Sequence, residues 1–89
     1  VISHTTEKFW KTFKQLPRHI QNQAREAYGL WHTDPHHPSL QFKIIHKSKQ
    51  VYSVRIGIGW RALGVRENGT IIWFWIGSHS EYNHVISKL

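Results

Sequence analysis

The sequence predicts an α+β domain: two N-terminal helices packed on a small twisted antiparallel sheet, closed by a short C-terminal helix or tail. Three observations predict it. First, Val51–Ile56 alternates Tyr52, Val54 and Ile56 with Val51, Ser53 and Arg55. The chain then reverses at Gly57-Ile58-Gly59, runs through Trp60–Arg66, and reverses again at Glu67-Asn68-Gly69. Asn-Gly readily takes the positive φ values of a two-residue hairpin turn. Second, Ile71–Ile76 reads IIWFWI, without a polar residue on either face, as in a strand covered on both sides. Third, the apolar residues between Thr6 and His32 recur every three or four positions, which is the helical period.

In chain order, Val1–Ser3 reads as the end of a short first strand. Thr5 or Thr6 is placed to cap a helix, because a hydroxyl there accepts from a backbone N–H that has no partner in the first turn. Phe9, Trp10, Phe13 and Leu16 form the apolar stripe of that helix, over Thr6–Leu16. Pro17 ends it and suits the start of the next. Ile20, Ala24, Ala27, Tyr28 and Trp31 mark one face of a second helix over Pro17–His32, stopped by Asp34-Pro35. Leu40–Ile45 reads as a strand with Leu40, Phe42 and Ile44 on one face, and Lys47–Gln50 as the turn after it. Ser80–Leu89 reads as the closing helix or tail. Residues 1–89 therefore make one domain, with no repeat and no linker.

Five Trp, four Phe and three Tyr supply the core that so small a domain needs. The absence of cysteine excludes disulfides and thiolate metal sites. No apolar run approaches the roughly 18 residues of a membrane span, and no signal-peptide pattern is present, so a cytoplasmic protein is expected. Twelve Lys and Arg against five Asp and Glu give a formal charge of +7, which favours a polyanionic partner, either nucleic acid or an acidic protein segment.

Several side chains could carry chemistry. Arg55 and Arg61 flank the Gly57–Gly59 turn and approach each other across the hairpin. Two guanidiniums side by side repel unless an anion satisfies them, and their planar forks match phosphate oxygens. His79 directly follows the apolar strand, with Tyr82 and His84 shortly after it. Imidazole exchanges protons near neutral pH, and a His–Tyr–His trio beside cations has the parts of a metal-independent ribonuclease. Lys8, Lys11, Lys14 and Arg18 fall three or four residues apart on the first helix and its turn, as a solvated face or a phosphate-contacting stripe. His32, His36 and His37 lie in a Pro-containing connector that is poorly shaped for a metal, and no cofactor is expected. No phosphate-cradling loop, catalytic Ser/His/Asp arrangement or carboxylate pair stands out.

The stretches FWKTFKQLPRHIQNQA, HPSLQFKII, VYSVRIGIGWRALGV and IIWFWIGSHSEY resemble the RelE/ParE family, the toxin half of bacterial type II toxin–antitoxin systems. The resemblance runs over nearly the whole chain in the family's order. It implies a toxin that cleaves messenger RNA on the ribosome and is neutralised by an acidic antitoxin. By position, Arg61 would stabilise the phosphate, and Arg55 and, less directly, Lys43 would hold RNA. Lys8 and Lys11, from the basic row read on the first helix rather than from the resemblance, would add phosphate contacts. His79 with Tyr82 or His84 would move protons, the resemblance leaving open which of the two takes part. Ser80 stands where many relatives carry Arg, and the sheet shows no acidic general base. The family's other activity, inhibition of DNA gyrase without a nuclease site, is therefore the alternative. Trp10 and Trp31 read as core residues, with antitoxin contact as their other use.

Overall fold

A computed structural model describes residues 2–89. The elements run β1 (Ile2–Thr5), α1 (Glu7–Lys14), α2 (Arg18–Thr33), a 3-10 turn (Pro38–Leu40), β2 (Lys43–His46), β3 (Val51–Ile56), β4 (Trp60–Glu67), β5 (Thr70–Ser78) and α3 (His79–Ile86). Val1, expected in the first strand, lies outside the described residues.

The strands form one sheet of order β1-β5-β4-β3-β2. From β1 the chain passes through both helices to the far edge, then meanders back until β5 arrives beside β1. That return makes the β1–β5 pair parallel, with Ile2 opposite Thr70 and Thr5 opposite Trp73. The sheet is therefore mixed, where an antiparallel one was expected; the other pairs are antiparallel. Asn68 and Gly69 take φ values of 51° and 78° at the β4–β5 turn, as the Asn-Gly pair predicts.

Local chemistry sets the helix ends. The Thr6 hydroxyl accepts from the Phe9 N–H at 3.1 Å and starts α1. Glu7 in the first turn and Lys11 and Lys14 in the last complement the helix dipole. At α3, Ser78 and Glu81 form a reciprocal capping box: the Ser78 hydroxyl accepts from Glu81 N–H, and the Glu81 carboxylate accepts from Ser78 N–H.

The strand expected over Leu40–Ile45 starts later. Pro38 opens a 3-10 turn, and His37 Nδ1 accepts from the Ser39 N–H at 3.2 Å. Gln41 then takes φ 45°, which breaks the extended pattern before Lys43. Leu40 is nevertheless in the core, at 2% exposure.

The sheet separates two apolar clusters. On one face, Phe9 and Phe13 of α1 and Ile20, Ala24 and Trp31 of α2 cover Val54, Ile56, Ala62, Trp73 and Ile76. On the other, Tyr82 of α3 packs with Val51 and Leu63, joined by Ile45, Phe74, Trp75 and Val85. β5 is thus packed from both sides, as its unbroken apolar run predicts. Trp10 departs from its core reading: it is 42% exposed, and its indole N–H donates to the Thr5 hydroxyl at 2.7 Å. No helix among the described residues is long and apolar enough to cross a membrane.

A bulge in β5 decides which tryptophan faces which cluster. Leu63 pairs with Trp75 and Gly64 with Trp73, so Phe74 is an extra residue. The parity of the strand changes there. Trp73 packs under the helices, and Trp75 turns to the face that carries α3.

Candidate active site

Cross-strand register assembles the site on the α3 face of the sheet. Arg55 pairs with Arg61, and Arg61 with Gly77, making one row across β3, β4 and β5. The next row is Lys43, Ser53, Leu63 and Trp75. Side chains two residues apart on a strand share a face, so both rows look the same way. The expected approach of the two arginines across the hairpin is thus a direct register pair.

Each guanidinium is steadied by the turn between them. Arg55 Nε donates to the Gly57 carbonyl and Arg61 Nη1 to the Trp60 carbonyl, both at 2.9 Å. Both residues are half-buried, and neither bonds a carboxylate among the described residues. Each keeps most of its donor fork for an external acceptor. Two arginines in direct register suit an anion with several oxygens, and a phosphodiester is one; Arg55 also borders a groove lined by Gln23, Glu26 and Leu30 of α2.

β5 and the α3 N-terminus position His79 and Tyr82, the two side chains proposed from the sequence to exchange protons. The His79 N–H donates to the Gly59 carbonyl at 2.8 Å, fastening the helix start to the same turn. His79 lies two residues beyond Gly77, the register partner of Arg61. Tyr82 follows one helical turn later, with ring centroids 5.8 Å apart and the planes inclined by 38°. His79 is exposed, whereas the Tyr82 ring is 8% exposed and anchors α3 to the sheet. Among the described residues, the side-chain polar atoms sealed without a partner are Trp31 Nε1 and Trp73 Nε1, and the Tyr82 hydroxyl is not one of them.

His84 stands apart. It is two residues from Tyr82, a rotation of roughly 200° on a helix, and is exposed while Tyr82 faces the sheet. Of the pair left open by the sequence, geometry therefore joins Tyr82 to His79. Lys43 is exposed at the outer end of the second row. Lys8 and Lys11 are exposed on α1, which packs against the opposite face of the sheet. They do not join Arg55 and Arg61, and form a separate basic surface.

Sequence reasoning missed Trp75. Its indole lies across Gly77: a Cβ built on Gly77 would come 2.6 Å from Trp75 Cζ2. Trp75 also sits 6.5 Å from Tyr82, centroid to centroid. The available signal was the W-I-G spacing, a large ring two residues from a glycine on one strand. The α3 cap was missed as well, although Ser78-His79-Ser80-Glu81 has the Ser-x-x-Glu pattern of a capping box.

Comparison with solved structures gives the same architecture. The RelB–RelE antitoxin–toxin complex from Methanococcus jannaschii contains a chain similar over 96% of this one and 98% of its own, with TM-score 0.72 and 19% identity. YafQ from E. coli strain BL21(DE3) is similar over 90% of this chain and 94% of its own, with TM-score 0.72 and 12% identity. The toxin–antitoxin complex RelBE2 from Mycobacterium tuberculosis matches 86% of this chain and 95% of its own, with TM-score 0.67 and 18% identity. At these identities the likeness is one of fold. No curated protein matches the chain by sequence. The model of the ParE-like toxin domain matches residues 18–84, from the start of α2 through most of α3. The chain therefore belongs to the ParE-like toxin domain family.

Proposed function

We propose that this protein is the toxin of a toxin–antitoxin module and cleaves messenger RNA on the ribosome without a metal ion. The observation that carries the reading is the Arg55–Arg61 pair on the same sheet face as His79 and Tyr82. In this mechanism the 2′-oxygen attacks the adjacent phosphorus, and the 5′-oxygen leaves. One of His79 and Tyr82 accepts the 2′-hydroxyl proton and the other protonates the leaving oxygen. Arg61, with Arg55 beside it, stabilises the negative charge that builds on the phosphorane. The products are a 2′,3′-cyclic phosphate and a 5′-hydroxyl. Nothing is oxidised or reduced.

The relatives by fold that were solved as antitoxin complexes support a protein partner, and the charge of +7 suits an acidic one. The family match to a ParE-like domain favours a second reading, inhibition of DNA gyrase, in which the arginine face binds protein and no RNA is cut.

A ribosome-programmed translation reaction with RNA ends mapped by primer extension tests the first reading, beside an Arg61→Ala control. New ends within A-site codons, absent with the variant, are expected. Intact RNA with folded protein overturns the nuclease, and loss of gyrase supercoiling in the same preparation would establish the second reading.

A further inference from the structure

We propose that Trp75 is the floor of a nucleobase subsite that holds one unpaired RNA base beside the Arg55–Arg61 phosphate site. The proposal rests on the RNA-directed reading above and names a specificity-determining residue within it.

The bulge at Phe74 turns Trp75 onto the α3 face, away from the helical core that Trp73 enters. There it is half-buried, like Phe74 beside it, whereas Trp73 and Ile76 are buried. Its ring does not stand away from the sheet. It lies along the strand over Gly77, where any larger residue would collide with Cζ2 and Cη2. Half-buried, the indole keeps part of its surface in solvent, and every nucleobase has a π face that can stack on such a ring.

The surroundings fit a base more than an apolar side chain. Gly77 is the register partner of Arg61, so the Trp75 ring reaches over the row that holds both arginines. The two rows are separated by roughly 6–7 Å, two residues of strand rise. That is about the reach from a nucleotide's phosphate to its base. Tyr82, buried under α3, stands 6.5 Å from Trp75 and 5.8 Å from His79 between ring centroids, and so links Trp75 to the exposed imidazole. A phosphate on the arginines thus leaves its base over Trp75, with the scissile linkage directed toward His79. Stacking favours the larger ring system, so a purine is preferred in this position.

The test uses the folded chain away from the ribosome and a short single-stranded oligoribonucleotide with 2′-O-methyl groups, which binds but cannot be cut. The Trp75 indole N–H resonance is identified by its loss in Trp75→Phe. On titration it is expected to shift more than the other indole resonances, and purine-rich probes are expected to bind more tightly than pyrimidine-rich ones. Trp75→Leu should weaken binding about tenfold and Trp75→Phe much less. A Trp75 resonance that stays still while the probe binds elsewhere overturns the proposal, as does Trp75→Leu protein that binds unchanged. If Trp75→Leu fails to fold, the wild-type resonance and the Phe variant decide. Because the probe is uncleavable, base binding without ribosomal cleavage would sink the nuclease and leave the subsite standing. Cleavage with a silent Trp75 would do the reverse.

Discussion

His79 and Tyr82 stand one turn apart on α3, with their rings 5.8 Å apart, and His84 projects from the far side of the same helix. This relationship divides three candidate proton carriers into a pair and a bystander. His79→Ala and Tyr82→Phe should each lower ribosomal cleavage by about 10²–10⁴-fold, the usual contribution of a positioned acid or base. His84→Ala should cleave at the wild-type rate. Single-turnover cleavage of programmed ribosomes reads all three, and an inactive His84→Ala protein with its fold intact would refute the assignment.

Arg61 is steadied by the Trp60 carbonyl, stands in register with Arg55 and, among the described residues, bonds no carboxylate. Replacing it removes charge stabilisation without opening a core cavity. Arg61→Gln is expected to cost about 10²–10³ in cleavage rate, the magnitude of one transition-state donor. Its thermal midpoint should rise or stay level, because the change relieves repulsion between two adjacent cations. A Tm lowered by several degrees would show that the pair is structural.

Ser78 ties the stability of α3 to the placement of His79. Its hydroxyl accepts from the Glu81 N–H and donates to the Glu81 carboxylate at 2.9 Å, so the cap fixes the turn that aims His79. Ser78→Ala should destabilise the fold by about 1 kcal/mol. That corresponds to a Tm lower by about 4–8 °C in a domain of this size. Cleavage should fall by more than that modest loss implies, because the frayed turn is the one that carries the imidazole. Calorimetry and cleavage on the same preparation test the two arms separately.

Most of the fold is legible in the sequence because local chemistry decides it. Thr6, Pro17, Asn68-Gly69 and the helical stripes each act within a few residues of themselves. What was not legible depends on partners distant in the chain. The parallel pairing of β1 follows from where β5 ends up, and the late start of β2 from His37 folding back on Ser39. Strict alternation would place Trp73 and Trp75 on one face, and only the extra residue at Phe74, set against β4, separates them. The arginines were legible as a pair because a tight turn joins them. The division between His84 and Tyr82 required knowing that α3 begins at His79. Likewise the charge pattern of Lys8 and Lys11 does not reveal that α1 lies on the opposite face of the sheet from Tyr82 and Leu63.

That separation yields a kinetic prediction. Lys8 and Lys11 are exposed on α1, on the opposite face of the sheet from Tyr82, so on the proposed reading any RNA contact they make holds the toxin on its target. Lys8→Ala with Lys11→Ala should raise the ribosome concentration needed for half-maximal cleavage and leave the saturated rate unchanged. Each lost phosphate contact should also flatten the salt dependence of binding by about one unit of slope. Arg61→Gln should show the opposite division, a reduced saturated rate at a little-changed half-maximal concentration. A double lysine variant that is slow even at saturation would place α1 at the reacting phosphate and overturn this division of roles.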